Sequence, residues 1–309
     1  MNVFGMVTTR HSHEYTAHAL ASFFQNTGLG PDDQFLLIDN DGTLDRSLTA
    51  GYPHVQTITN PSPQGFAANV NQVMGHARDR GADLIFLNND LIFTSGWLAP
   101  LRVHLPVVLS PISNFQMPYR SPDWECGPFL DLADYLGNQE AFRQIVRSHR
   151  ASVRGYWPAL VVPFFCIKIP YAVYTAVGSL DEAFGLGGGE DFDYCLRCHL
   201  AGFKVQFALD AYVLHFMGKS TWRCAETLPE QQAHEAAYLT VFGDKWGRRL
   251  RDVVCLGLRG SIPGDTGLRN ELARGNFREV IEGLLGKDKS DNDPRSPVLV
   301  PTFAAPSKS

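Results

Sequence analysis

The chain has little that would place it in a membrane or an oxidising compartment. No apolar run approaches the roughly 18 residues of a spanning helix, so no membrane span is predicted. The first residues, Met1-Asn2-Val3-Phe4-Gly5-Met6, lack a basic stretch ahead of a long apolar one, so no export signal is read and a cytoplasmic location is expected. Cysteine is sparse, six in 309 residues, which argues against a disulfide scaffold and for free thiols. Neither charge is in large excess. The 27 Lys+Arg and 32 Asp+Glu give a formal charge of −5, with no overall basic footprint for nucleic acid. No internal repeat is visible. Apolar residues are plentiful at 44%, enough for a large core in one large or two ordinary domains.

The first half alternates strand and helix signals. Asn2–Thr8, Gln34–Asp39, Val55–Thr59 and Leu84–Leu87 read as strands. Glu14–Asn26 and Gly65–Arg80 carry helical spacing and stop near Gly28 and Gly81. This rhythm predicts an α/β fold, Rossmann-like, with a mostly parallel sheet flanked by helices. Residues 111–160, rich in Pro, Trp, Tyr and Arg, break it and read as an insertion with one helix at Glu140–His149. Val161–Ile167 returns as strand. Pro170–Val177, Asp191–Ala201 and Pro229–Phe242 read as helices, and Lys204–Phe207 and Ala211–Leu214 as extended. A C-terminal extension is expected over 251–285 and a disordered Lys/Asp/Ser/Pro-rich tail over 286–309. Cys195-Leu196-Arg197-Cys198-His199 matches a haem-attachment string, but it lies in an amphipathic pattern and reads as a helix with two small apolar residues at i and i+3.

Ligands of open α/β sheets bind beyond the carboxyl ends of the strands, where Thr8, Asp39 and Asp90 fall. Three pieces carry the chemistry. Leu87-Asn88-Asn89-Asp90 puts a carboxylate at the end of an apolar run. Gly187-Gly188-Gly189-Glu190-Asp191-Phe192-Asp193 puts a carboxylate pair after a flexible loop. His215-Phe216-Met217-Gly218-Lys219-Ser220 puts an imidazole after another apolar run.

In this order the pieces resemble the metal and base elements of inverting family-2 glycosyltransferases with the GT-A fold, over roughly residues 1–250. The resemblance implies transfer of a sugar from a nucleotide-diphosphate donor, a UDP- or dTDP-sugar, to an acceptor hydroxyl. It implies a nucleotide-binding half over 1–105 and an acceptor half over 106–250. Asp90 and His215 would hold Mn2+ or Mg2+, since oxygen ligands suit both and an imidazole favours manganese. Asp191 would be the general base and Glu190 its orienting partner. Asp39 would read the base or ribose. Thr8, Asn71, Asn88 and Lys219 would complete the donor site. Asn60, Gly65-Phe66-Ala67 and Asn71 look like another of the family's patterns. Gly188, Trp124 and Trp157 would face an acceptor, which is a glycan, lipid-linked glycan, protein or modified nucleobase.

Two other readings compete. Asp39-Asn40-Asp41-Gly42-Thr43-Leu44 resembles the nucleophile motif of haloacid-dehalogenase-type phosphatases, with Asp39 attacking phosphorus and Asp41 as acid/base. That motif usually sits on the first strand, whereas a strand and a helix precede it here. The second is a catalytically inactive sugar-nucleotide-binding module.

Overall fold

The computed structural model describes residues 1–114, 131–219, 226–257 and 266–290. The first half follows the sequence pattern closely. It runs β1 (Asn2–Thr8), α1 (His13–Asn26), β2 (Gln34–Asp39), β3 (Val55–Thr59), α2 (Phe66–Asp79) and β4 (Asp83–Leu87). The chain then forms β5 (Leu91–Phe93), β6 (Val107–Ile112), α3 (Leu132–Gly137), α4 (Gln139–Ser152), β7 (Tyr156–Pro158) and β8 (Cys166–Ile169). It continues through α5 (Tyr171–Val177), α6 (Glu190–Leu200), β9 (Lys204–His215), α7 (Leu228–Trp246), α8 (Arg248–Val254), α9 (Thr266–Arg274) and α10 (Phe277–Ser290).

The nine strands form one sheet in the order β3-β2-β1-β4-β8-β6-β9-β5, with β7 also on β9. The first four are mutually parallel, as are β6 and β9; β4–β8, β8–β6, β9–β5 and β9–β7 are antiparallel. β1 leads through α1 to β2 on one side, and β3 leads through α2 to β4 on the other. The topological switch therefore opens a crevice beyond the carboxyl ends of β1 and β4.

Side chains of β1 alternate between two cores, as the pleat requires. Val3 and Val7 join Val70, Val73 and Met74 of α2, whereas Phe4 and Met6 join Ala19, Leu20 and Phe23 of α1. Phe23 meets the rings of Phe4, Phe35, Phe93 and Trp97 edge-on or tilted. A buried Phe of this kind is worth ~3–5 kcal/mol against Ala, so α1 and the crevice wall it carries are firmly seated. A third core joins α6 to the C-terminal helices through Leu196, Phe242, Trp246, Leu250, Val280 and Ile281.

The second half differs from the sequence pattern in three places. The stretch expected as one strand from Val161 is coil and a turn at Phe164-Phe165 before β8, since Pro163 cannot donate to a ladder. The two extended pieces after Lys204 are one strand, β9, with a register shift opposite Pro111/Ile112. The expected insertion contributes sheet strands at both ends, β6 and β7, and packs α4 on β9 through Phe142, Val146 and His149. Helix α10 extends to Ser290; residues 291–309 of the expected tail lie outside the described residues.

Candidate active site

Asn88-Asn89-Asp90 turn the chain from β4 into the short β5, whose Leu91 pairs with His215 at the end of β9. This register brings Asp90 beside His215. Asp90 is fully buried, and the turn after β9 wraps it. The Phe216 amide donates to the Asp90 carbonyl at 3.1 Å, and the Lys219 amide donates to Asp90 Oδ2 at 3.1 Å. Lys219 thus reaches Asp90 through its backbone. The tight wrap requires left-handed backbone at Met217 (φ 53°) as well as at Gly218.

Asp90 Oδ1 lies 3.4 Å from His215 Nε2. Neither atom has a hydrogen-bond partner, nor does His215 Nδ1, although all three are buried. The imidazole is fixed by other means. Its ring stacks on Phe165, with centroids 4.9 Å apart and planes at 18°, and its backbone N–H donates to Asn114 Oδ1 at 2.9 Å. Buried polar atoms are nearly always satisfied, so an orphaned carboxylate oxygen facing an orphaned imidazole nitrogen fits a divalent cation between oxygen and nitrogen donors. Among the described residues no group of three or more His, Cys, Asp or Glu side chains could hold a metal. Two protein ligands suit an ion that draws its remaining ligands from phosphate and water.

The carboxylate pair opens α6. Gly189 precedes it in left-handed backbone (φ 83°), and Gly188 has φ 117° with Tyr238 of α7 pressed against it; a Cβ there would stand 2.6 Å from that ring. The same loop touches the start of α2, where the Phe66 amide donates to the Leu186 carbonyl at 2.9 Å. A Cβ on Gly65 would stand 1.9 Å from the Gly185 oxygen, so only glycine permits this approach.

Asp191 Oδ1 accepts from the Phe192 amide at 2.8 Å, and Oδ2 from the Phe164 amide at 3.4 Å. Burial outweighs these bonds and pushes the carboxyl up to about 6. Glu190 is more deeply buried and accepts from the Gly188 amide. Burial first, then repulsion from Asp191, push it up to about 8. Asp193, fully buried, is a brace: Oδ2 meets Arg197 Nε at 2.8 Å, and Oδ1 meets Lys245 Nζ at 2.7 Å and Trp246 Nε1 at 2.8 Å. Lys245 and Trp246 thereby hold the helix that carries Asp191.

Phe164-Phe165 tie the centres together. The Phe164 amide holds Asp191, the Phe165 ring stacks on His215, and the Phe165 carbonyl accepts from the Asn88 amide at 2.7 Å. No local motif announces this turn, because its partners are far away in sequence.

A cleft lies beyond the carboxyl ends of β1, β2 and β4. Thr9, Asn40, Asp41, Asn69, Asn88 and Leu186 are among its lining residues. Of the expected donor residues Asn88 is in its wall. Thr8 is one residue away and fully buried, its hydroxyl 2.7 Å from that of Thr16, which also accepts from Asn89 Nδ2. Asn71 straps α2 to the Leu180 backbone in both directions and donates to Glu182, so its amide is engaged away from the cleft. Asn69 lines the cleft and joins Asn40 and Asn60 in an amide network: Asn60 Nδ2 donates to Asn40 Oδ1 and to Asn69 Oδ1. Its signal in the sequence is a polar residue on the otherwise apolar face of α2 between Ala67 and Val70.

Asp39 Oδ1 accepts from the Thr43 amide at 3.0 Å and closes the turn after β2. Burial pulls the Asp41 carboxyl upward, but hydrogen bonds from Thr43 and Arg10 outweigh it and leave the pKa below its ordinary value. A turn carboxylate already held by Thr43, beside a carboxyl kept below its ordinary pKa, makes a poor nucleophile and acid/base pair, which disfavours the phosphatase reading. Trp157 is 47% exposed and lies in a separate groove. Trp124 lies outside the described residues. Cys195 and Cys198 are both buried in the core, and His199 Nε2 faces the Ala159 and Leu160 carbonyls, so the haem string is part of a packed helix.

No protein-family profile matches the sequence, and no curated protein matches it. Solved structures do match. GalNAc-T7 with UDP, GalNAc and Mn2+ superposes with a TM-score of 0.54 at 13% identity, over 94% of this chain and 57% of that one. S. aureus TarS 1–349 superposes at 0.51 and 12% identity, over 93% of this chain and 83% of that one. The same protein in complex with UDP-GlcNAc gives 0.51 and 12% over 94% and 88%. This chain therefore spans little more than half of the GalNAc-T7 chain. At these identities the likeness shows the fold, and the chain has the GT-A fold.

Proposed function

We propose that this chain is a divalent-metal-dependent glycosyltransferase that moves a sugar from a nucleoside-diphosphate donor to an acceptor hydroxyl, with inversion at the anomeric carbon. One observation carries the reading. A single turn, Phe164-Phe165, holds both a carboxylate whose pKa is raised toward neutrality and the imidazole of an orphaned Asp–His pair. UDP in GalNAc-T7 and UDP-GlcNAc in TarS support a UDP-sugar donor, and the Mn2+ of GalNAc-T7 supports a metal.

Asp90 and His215 would hold the cation. When bound, it supplies positive charge against the departing diphosphate. The chain's own residues do the rest. The crevice beyond β1 and β4 takes the nucleotide, with Asn40 and Asn69 in its wall, Asn60 bracing both, and Asp39 closing the turn that carries Asp41. Asp191 takes the proton of the acceptor hydroxyl; a carboxylate lifted to about 6 is a stronger base than an ordinary one and remains mostly ionised at neutral pH. Glu190 stays mostly protonated there, because two adjacent buried carboxylates do not ionise together easily. Direct displacement with one base leaves no covalent glycosyl intermediate. Among the described residues no helix is long and apolar enough to cross a membrane.

The test is a panel of sugar nucleotides with manganese, read as nucleoside-diphosphate release, with the product's anomeric configuration determined by NMR. Release from a UDP-sugar that depends on Asp191 and gives inverted product supports the reading. Phosphate release from phosphomonoesters, or a product of retained configuration, overturns it.

A further inference from the structure

We infer that the polar pocket at the amino ends of β1 and β4 is a second ligand site, and that it takes a phosphate-type oxyanion. The pocket lies at the opposite end of these strands from the crevice, and it stands apart from the glycosyl-transfer reading. It measures about 250 Å³, room for several waters or one tetrahedral oxyanion. Asn2, Asp33, Asp83, Arg102, His104 and Lys168 are among its lining residues.

Lys168 is the unusual member. It stands on β8 and is only 2% exposed, and lysine is almost never buried unless it is paired. Its Nζ donates to the Val103 carbonyl at 2.8 Å and meets Asp83 Oδ2 at 3.0 Å, which engages two of its three N–H groups. Arg102 Nη2 donates to the Gly28 carbonyl at 2.6 Å and faces Asp33 Oδ2 at 3.5 Å. Among the described residues, Arg102 Nε and Nη1 and the His104 ring have no protein partner. The two carboxylates, by contrast, are spent. Asp33 Oδ1 accepts from the amide and Nδ2 of Asn2, and its Oδ2 from the Gly30 amide. Asp83 Oδ1 accepts from the Tyr171 amide, and its Oδ2 holds Lys168.

The unspent hydrogen-bonding capacity of the charged side chains in this wall is therefore on the donor side, although the formal charges of Arg102 and Lys168 are balanced by the two acids. An oxyanion can accept from Lys168, the Arg102 fork and a His104 ring N–H together, and arginine and lysine are the side chains suited to phosphate. A metal ion is a poor occupant, since the described residues offer no group of three or more acidic, His or Cys side chains that could hold one. An apolar ligand would strip water from Arg102 and Lys168 and return no hydrogen bond.

The test reads binding without turnover. The full chain is titrated by calorimetry with inorganic phosphate, glycerol phosphate and glycerol, at constant ionic strength balanced with chloride. Divalent metal is left out, so that phosphate is not drawn to the Asp90–His215 pair. Lys168→Met strands the Asp83 carboxylate without its cation, so Arg102→Gln carries the test: this side chain is exposed, and its loss leaves the Lys168–Asp83 pair intact. Circular dichroism confirms that the variants are folded. Phosphate should bind one per chain, and its affinity should fall about ten-fold or more in Arg102→Gln, the scale of a lost hydrogen bond to a charged group. Arg102→Lys should recover part of it, and His104→Gln should lose less than Arg102→Gln. Glycerol phosphate binding with the same dependence on Arg102 upholds the site as one for a phosphomonoester. Phosphate binding without glycerol phosphate upholds it as one for the free ion. Absence of binding by both, binding indifferent to Arg102, or equal binding of glycerol each overturns the inference.

Discussion

Glu190→Gln should stabilise the protein, by more as the pH rises from about 4.5 to about 8. The wild-type carboxyl is buried at the start of α6, accepts from the Gly188 amide, and is pushed up to about 8 from an ordinary 4.5. The unfolded chain loses this proton near 4.5 and the folded chain near 8. Between those values the folded state holds more protons, so its stability falls as pH rises, and it levels off above 8. Asp191 acts in the same direction, but its carboxyl is raised less, so a comparison of pH 6.5 with pH 9 spans mainly the loss of the Glu190 proton. From 6.5 to about 8, at 1.36 kcal/mol per pH unit, the loss is ~2 kcal/mol.

Glutamine is nearly isosteric and imitates the protonated acid, with an oxygen to accept from Gly188. It removes the ionisation and leaves the loop as it is. Urea unfolding of both proteins at pH 6.5 and pH 9 measures the effect. The wild type should lose ~2 kcal/mol more than the variant over this interval, and histidine and thiol titrations common to both cancel in the difference. Equal losses would refute the argument. They would mean that Glu190 is ionised and solvated at neutral pH, and that the glycine loop does not seal over it.

Other perturbations address the remaining parts. Asp191→Asn should keep donor binding by calorimetry and lose transfer by ~10²–10⁴-fold, the usual effect of removing a positioned base; near-normal transfer would move that role to Glu190. Asp90→Ala should abolish manganese binding seen by electron paramagnetic resonance, and His215→Ala should weaken it; binding unchanged in both would remove the metal site. Asp193→Ala leaves Arg197, Lys245 and Trp246 without their shared partner, and should cost ~3–5 kcal/mol in urea unfolding. Gly188→Ala should lower the melting temperature, and trimming the facing ring by Tyr238→Ala should restore only part of the loss, because the positive φ at residue 188 remains.

The first half of the fold was legible because its strands are parallel, β1, β2 and β4 are buried on both faces, and amphipathic helices with glycine stops follow β1 and β3. Alternation of strand and helix then fixes the carboxyl-end crevice without any long-range information. The second half hid its strands. Pro163 sits in an apolar run that reads as strand but turns. Asp210 interrupts the apolar pattern of β9, and around it the β9 residue facing β6 jumps from Ala208, opposite Pro111, to Tyr212, opposite Ile112, so one strand looks like two. Near the cleft the sequence placed residues within one or two positions of those that line it. Thr8 was expected and Thr9 lines it; Asn71 was expected and Asn69 lines it. In a strand each step reverses the face, and in a helix two steps turn the side chain by more than half a revolution, so errors this small decide contact. The Phe164-Phe165 turn could not be read at all, since each of its partners comes from a different part of the chain.

The two chemical centres are held by different parts of the molecule. The Asp90–His215 pair belongs to the sheet: its register is set by β5 on β9, and Phe216 and Lys219 fold back on Asp90. The carboxylate pair belongs to α6, and α6 is fixed by the C-terminal half through Lys245, Trp246 and the core of α7, α8 and α10. The glycine loop is pinned on both sides, by Gly65 of the α2 start and by Tyr238 of α7. A change in the C-terminal helices therefore displaces Asp191 before it disturbs the Asp–His pair, and the two aromatic residues at 164 and 165 are the short mechanical link between them. In the glycosyltransferase reading that link sets the distance between the leaving diphosphate and the acceptor hydroxyl. Reach at residues 164–165 then matters more for transfer than for binding either substrate alone.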